Sequence, residues 1–147
     1  MNVRFIYKSN NYNRERELVL TNICTIASVI IALPDTIEVE FTKLDRSVYA
    51  ETVLDHRFRN RIRLEETLSS KEIINPVIHE LLHLNQTHTG RLIAFRNGVL
   101  SWDKRFYNMK SVEMTPEVWA NLPWEQDVVN KQQFLLEKVL DLGLLKG

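Results

Sequence analysis

From Asn13 to Pro34 apolar residues recur at helical spacing, marked by Leu18, Ile23, Ile26 and Ile30, which predicts a helix capped by Asn13 and stopped by Pro34. The period then drops to two. "TIEVEFTKL" sets Ile37, Val39 and Phe41 on one face against Glu38 and Glu40 on the other, as a half-buried strand requires. "SVYAETVLD" reads as a second strand and "RFRNRIRLEE" as a third, with Phe58, Ile62 and Leu64 inward. Their close spacing predicts an antiparallel meander.

Helical periodicity returns in "INPVIHELLHLNQTHTG". Ser69 with Glu72 three residues on forms a capping-box pattern, and Asn75 before Pro76 is a second candidate start, so the helix begins near Ser70 with a bend or at Asn75. It runs to about His88, with Gly90 as terminator. "RLIAF" and "GVLSW" then flank Arg96, Asn97 and Gly98, a hairpin signal. Past a loop with Pro116, Pro123 suits the first turn of a last helix, whose buried side is assigned to Val128, Phe134, Leu135, Val139 and Leu140. Together these elements predict one α+β domain over residues 1–147.

Composition narrows the functional classes. Nineteen acidic residues balance nineteen basic ones, so there is no net charge to draw the chain to nucleic acid or to a membrane surface. Arg57, Arg59, Arg61 and Arg63 do share one face of the third strand, but Glu38, Glu40, Glu51 and Asp55 are available to pair with them across the sheet. The longest apolar run, Ile23 to Leu33, spans eleven residues, too few to cross a bilayer. With Cys24 as its one cysteine the chain has neither a disulfide scaffold nor a cysteine zinc module, and a reducing cytoplasmic compartment fits.

The central helix carries the candidate chemistry. His79 and His83, four apart, project from one helix face and can converge on one ion, while Glu80 beside them is placed to act as general base in the HExxH arrangement. Val77, Ile78, Leu81, Leu82 and Leu84 make this a core helix, where two histidines need partners that a shared zinc ion supplies. His88 lies five residues past His83, about 140° around the helix from the ligand face, and is read as a helix-end or rim residue. His56 is read as a surface turn residue, and Trp102, Trp119 and Trp124 as core or cleft wall. A catalytic zinc site needs a third protein ligand and an open coordination position, and "LPWEQDVV" offers carboxylates at the start of the last helix. Glu125 and Asp127 stand about 200° apart there, so only one of them can face the metal.

"HELLHLNQTHTGRL", a hairpin ending in Trp102, and "LPWEQD" together resemble the small HExxH metallopeptidases encoded by bacteriophages and other mobile elements, whose usual form is HELxHxxQ, a G-rich turn, a hairpin and PWExEA. The resemblance covers roughly residues 70 to 135. It implies a zincin-like minimal core of gluzincin type, with His79, His83 and Glu125 as zinc ligands, Glu80 as base, and a protein or peptide as substrate. The chain departs from the family form at Asp127 and Val128, where Glu and Ala are usual, and at His88, which has no family role. In HExxH enzymes the strand before the motif helix often forms the substrate rim, which here points to the Arg57–Arg63 strand. His88, Arg91 and Tyr107 are the polar candidates for stabilising an oxyanion. A zinc-containing binding or regulatory protein and a DNA-associated protease of the SprT-like kind are the alternatives, the latter without the basic tail or cysteine ribbon it would call for.

Overall fold

The computed structural model describes residues 1–10, 12–45, 47–54 and 60–142, so Asp55, His56, Arg57, Phe58 and Arg59 lie outside the described residues. The chain is mixed α+β. In order it forms β1 (Asn2–Tyr7), α1 (Arg14–Ile30), β2 (Thr36–Thr42), β3 (Ala50–Thr52), β4 (Arg61–Glu65), α2 (Ile74–His88), β5 (Leu92–Ala94), β6 (Val99–Trp102), β7 (Arg105–Asn108), α3 (Pro116–Ala120) and α4 (Pro123–Asp141). Among the described residues no helix is long and apolar enough to cross a membrane.

Asn13 caps α1 as expected, its side chain accepting from the Arg16 amide at 3.1 Å. The buried stripe is Leu20, Ile23, Cys24 and Ala27, while Leu18 is exposed. Leu18 stands about 200° around the helix from Leu20 and so faces solvent.

The meander is not what forms. The large sheet has the order β1-β2-β4-β3, with β1–β2 and β2–β4 parallel and only β3–β4 antiparallel. β1 joins β2 through α1 as a crossover, and β4 inserts between β2 and β3. Side-chain chemistry accounts for the insertion. Glu38 and Glu40 of β2 meet Arg61 and Arg63 of β4, with Arg61 Nη2 3.2 Å from Glu38 and Arg63 Nε 2.9 Å from Glu40, whereas β3 offers that face only Glu51, 2.8 Å from Arg63. The expected pairing of arginines with acids across the sheet therefore holds for Arg61 and Arg63. Ile37, Val39, Phe41, Ile62 and Leu64 fill the opposite face against α1 and α2.

Glu40 is buried, and it accepts from Arg61 Nη1 at 3.2 Å as well as from Arg63. Glu40→Ala is expected to cost about 2 kcal/mol in urea unfolding, below the ~3–5 of a fully buried pair because Glu38 and Glu51 remain as partners. A change under about 0.5 kcal/mol would class the ladder with ordinary surface pairs.

The motif helix begins at Ile74, beside the second candidate start, and the Ser70 stretch before it is a turn. Ser69 and Glu72 exchange reciprocal backbone–side-chain bonds of 3.0 and 3.2 Å in a turn that leads into α2 at Ile74. Pro76 sits in the first turn, where a missing N–H leaves no intrahelical bond unmade. At the far end Gly90 takes φ +78° just past the Thr89 cap, the left-handed conformation that closes a helix.

The hairpin after α2 has a third strand. Trp102 pairs with Arg105 across Asp103 and Lys104, both at positive φ, a two-residue turn made without glycine. The inner face of β5–β7 joins Leu122 and Trp124 in a second core with Leu92 and Trp102. α4 starts at Pro123 and buries Trp124, Glu125, Val128, Leu135 and Val139. Phe134 and Leu140, expected inside, are exposed. Phe134 is one position, about 100°, off the Val128–Leu135–Val139 stripe, and its ring instead lies 5.5 Å from the Lys138 ammonium.

Candidate metal centre

α2 and α4 pack side by side, and their contact brings the three expected ligands together. One face of α2 presents His79 and His83, with ring centroids 5.0 Å apart. The first turn of α4 turns Glu125 toward them. His79 Nε2 lies 3.1 Å from Glu125 Oε2, and His83 Nε2 lies 2.9 Å from Glu125 Oε1. The three donor atoms lie within 4.8 Å of one another, close enough to share one ion.

Two glutamines orient the rings. His79 Nδ1 is 2.9 Å from Gln132 Oε1, and His83 Nδ1 is 2.8 Å from Gln86 Oε1. The amide nitrogen of Gln86 donates to the Trp124 carbonyl and to Asp127, both at 2.9 Å, and that of Gln132 donates to Asn75 Oδ1 at 2.9 Å. Each amide oxygen is thereby aimed at its ring, so each Nδ1 carries the donated proton and each Nε2 is the nitrogen that faces Glu125. This is the outer-shell support that metal-binding histidines use, and the donor set of two imidazole nitrogens and one carboxylate fits zinc.

The electrostatics follow from burial and proximity. Burial disfavours a charged His79, but its bonds to Glu125 and Gln132 outweigh that and raise it to about 9. His83 is raised too, burial again being overcome by Glu125. Burial would lift the Glu125 carboxyl, yet the two rings hold it down at about 2. Glu80 goes the other way, pushed up by burial against the pull of His83 and His79. Its Oε1 accepts a 2.8 Å bond from the Thr52 hydroxyl of β3.

Of the two candidate carboxylates, Glu125 is the one facing the histidines. Asp127 turns away to Gln86, to Lys131 at 2.9 Å and to Arg91 at 3.3 Å. It completes a chain in which Arg91, stacked 4.5 Å over Trp102, holds Asp127, which holds Gln86, which holds His83. His88 is exposed at the end of α2 and takes no part in the cluster. His88, Arg91 and Tyr107 are all absent from the cleft wall among the described residues, so none gains geometric support as an oxyanion donor.

The cluster lies in the wall of an open cleft of about 800 Å³. β3 and the segment before it form one side, and Pro116, Trp119 and Trp124 contribute another. The strand at this rim is β3, a correction to the expected Arg57–Arg63 strand: β4 is an interior strand between β2 and β3 and has no free edge. Trp102 and Trp124 are core residues as expected, Trp124 also touching the cleft, while Trp119 is exposed beside it.

Thr52, Gln86 and Gln132 went unassigned from sequence. Gln86 had a signal, three residues past His83 and within reach of its ring, and Gln132 stands two helical turns past Glu125 on the same face. Thr52 had none, since it arrives from a strand 28 residues away. No protein-family model, curated protein or solved structure matches the chain.

Proposed function

We propose that the protein is a zinc-dependent peptidase, with His79, His83 and Glu125 as ligands and Glu80 as general base. The observation that carries this reading is the convergence of two Nε2 atoms and one carboxylate, from two different helices, on one point in the wall of an open cleft with a buried glutamate beside it. A site that only stiffened the fold would have no use for Glu80 or for a cleft. The mixed sheet with an antiparallel edge strand over the motif helix supports a zincin-like core, and the HELLHLNQ and PWEQD segments support kinship with the small phage-type gluzincins.

A zinc ion held by His79, His83 and Glu125 would supply Lewis acidity, which would acidify water and polarise a carbonyl. The chain supplies the rest. Glu80 takes the proton of the attacking water and passes it to the leaving amine, so that one carboxylate serves as base and then as acid. Gln86 and Gln132 keep the two imidazoles in a single tautomer. β3 holds the substrate. Val53 N donates to Arg61 O and Glu65 N donates to Tyr49 O, so strand alternation directs the backbone groups of Ala50 and Thr52 to the open edge. An extended peptide can add there as a further strand.

Purified protein is expected to carry about one zinc per chain and to cleave an unfolded protein such as casein, and chelation is expected to stop cleavage until zinc is returned. Protein that binds zinc without cleaving any of a diverse peptide library would replace the peptidase with a binding protein. Protein that binds no divalent ion would remove the metal centre altogether.

A further inference from the structure

Thr52 joins the cleft edge to the buried carboxylate. Its hydroxyl lies 2.8 Å from Glu80 Oε1 and 3.3 Å from the Glu80 carbonyl oxygen, while the residue itself is the last of β3. Glu80 is buried, and the hydroxyl takes up one of its two carboxylate oxygens, leaving Oε2 for proton transfer. The same residue turns its backbone N–H and C=O to the open edge, because Thr52 pairs with Ile62 at the position between the hydrogen-bonded neighbours of the ladder. One residue therefore touches the general base through its side chain and borders the track of the peptide through its backbone.

We infer that Thr52 is a positioning residue, which fixes the rotamer of Glu80 and ties it to the strand on which the substrate lies. The inference rests on the peptidase reading and adds to it a residue that no motif contains. Glutamate has three rotatable side-chain torsions, and a base must be held near its productive geometry to act. The neighbouring histidines are engaged elsewhere, their Nδ1 atoms with Gln132 and Gln86 and their Nε2 atoms with Glu125. Thr52 is the remaining hydrogen-bond donor to it among the described residues. It also couples two events, since a peptide seated on Ala50 and Thr52 stiffens the short β3 strand and with it the hydroxyl that aims the base. A plain structural role, in which Thr52 only satisfies a buried oxygen, predicts lost stability without a specific loss of turnover.

The test uses zinc-loaded wild type, Thr52→Val and Thr52→Ser, with zinc content, thermal midpoint, kcat and KM on one cleavable peptide. Valine keeps the branched shape and removes the hydroxyl. The expected result is a fall in kcat of about tenfold or more with KM within about twofold, zinc content unchanged, and kcat largely restored by serine. Wild-type kcat in Thr52→Val overturns the inference. So does a loss that follows zinc content or thermal midpoint, or one that serine does not restore. If valine prevents folding, Thr52→Ala against Thr52→Ser decides by the same readouts. Wild type that holds zinc and cleaves nothing sinks the peptidase reading and this inference together, and the wild-type arm separates that failure from failure of Thr52 alone.

Discussion

Glu80→Gln is expected to keep its zinc and to lose peptide hydrolysis by about a thousandfold. The side chain is buried and close to both histidines, but the proposed ligand atoms are those of His79, His83 and Glu125, so an uncharged isostere would leave that set whole. Its amide oxygen can still accept from the Thr52 hydroxyl, which preserves the local packing. What the amide cannot do is take a proton from water and return it to an amine. The paired measurements are zinc stoichiometry and the initial rate of cleavage on one peptide. Zinc retained with activity lost places Glu80 in the chemistry. Activity retained would assign the base elsewhere, and zinc lost along with activity would make Glu80 part of the ligand set and undo the division of roles.

The motif helix was legible because its information is local. A spacing of four places His79 and His83 on one face wherever the helix goes, and the apolar residues around them already marked it as buried. Glu125 came from the likeness of PWEQD to a family form, since helical rotation alone left Asp127 equally open. The contact of α4 with α2 turns Glu125, and not Asp127, toward the histidines, and nothing in either segment states that contact.

Strand existence was legible too, and strand direction was not. Alternation marks Ile37, Val39 and Phe41 as one face whichever neighbour β2 acquires and in whichever sense. β1 alternates through Val3, Phe5 and Tyr7, so a strand could be read there, but its parallel pairing depends on α1 crossing over. The order β2-β4-β3 brings Glu40 to two arginines, a pairing between positions more than twenty residues apart. Thr52 escaped the sequence for the same reason. It reaches Glu80 only because β4 pushes β3 out to the edge, beside the motif helix.

Glu125→Ala is expected to weaken zinc binding by more than about 100-fold, beyond the ~10–100-fold that losing an outer-shell partner costs. Its two oxygens lie 3.1 and 2.9 Å from the two Nε2 nitrogens, and without them two imidazoles alone remain. Gln86→Ala, which frees the His83 ring but removes no ligand, should fall within that outer-shell range. Asp127→Ala should cost less again, because it acts on His83 only through Gln86, whose bond to the Trp124 carbonyl persists. The ordering Glu125 above Gln86 above Asp127 is specific to the α2–α4 arrangement, and competition against a chromophoric chelator, with circular dichroism to confirm folding, measures it. An Asp127 variant that loses zinc while the Glu125 variant keeps it would mean that α4 sits rotated by about half a turn from the arrangement described. Equal loss in all three would point to an unfolded α2–α4 contact and not to a ligand set.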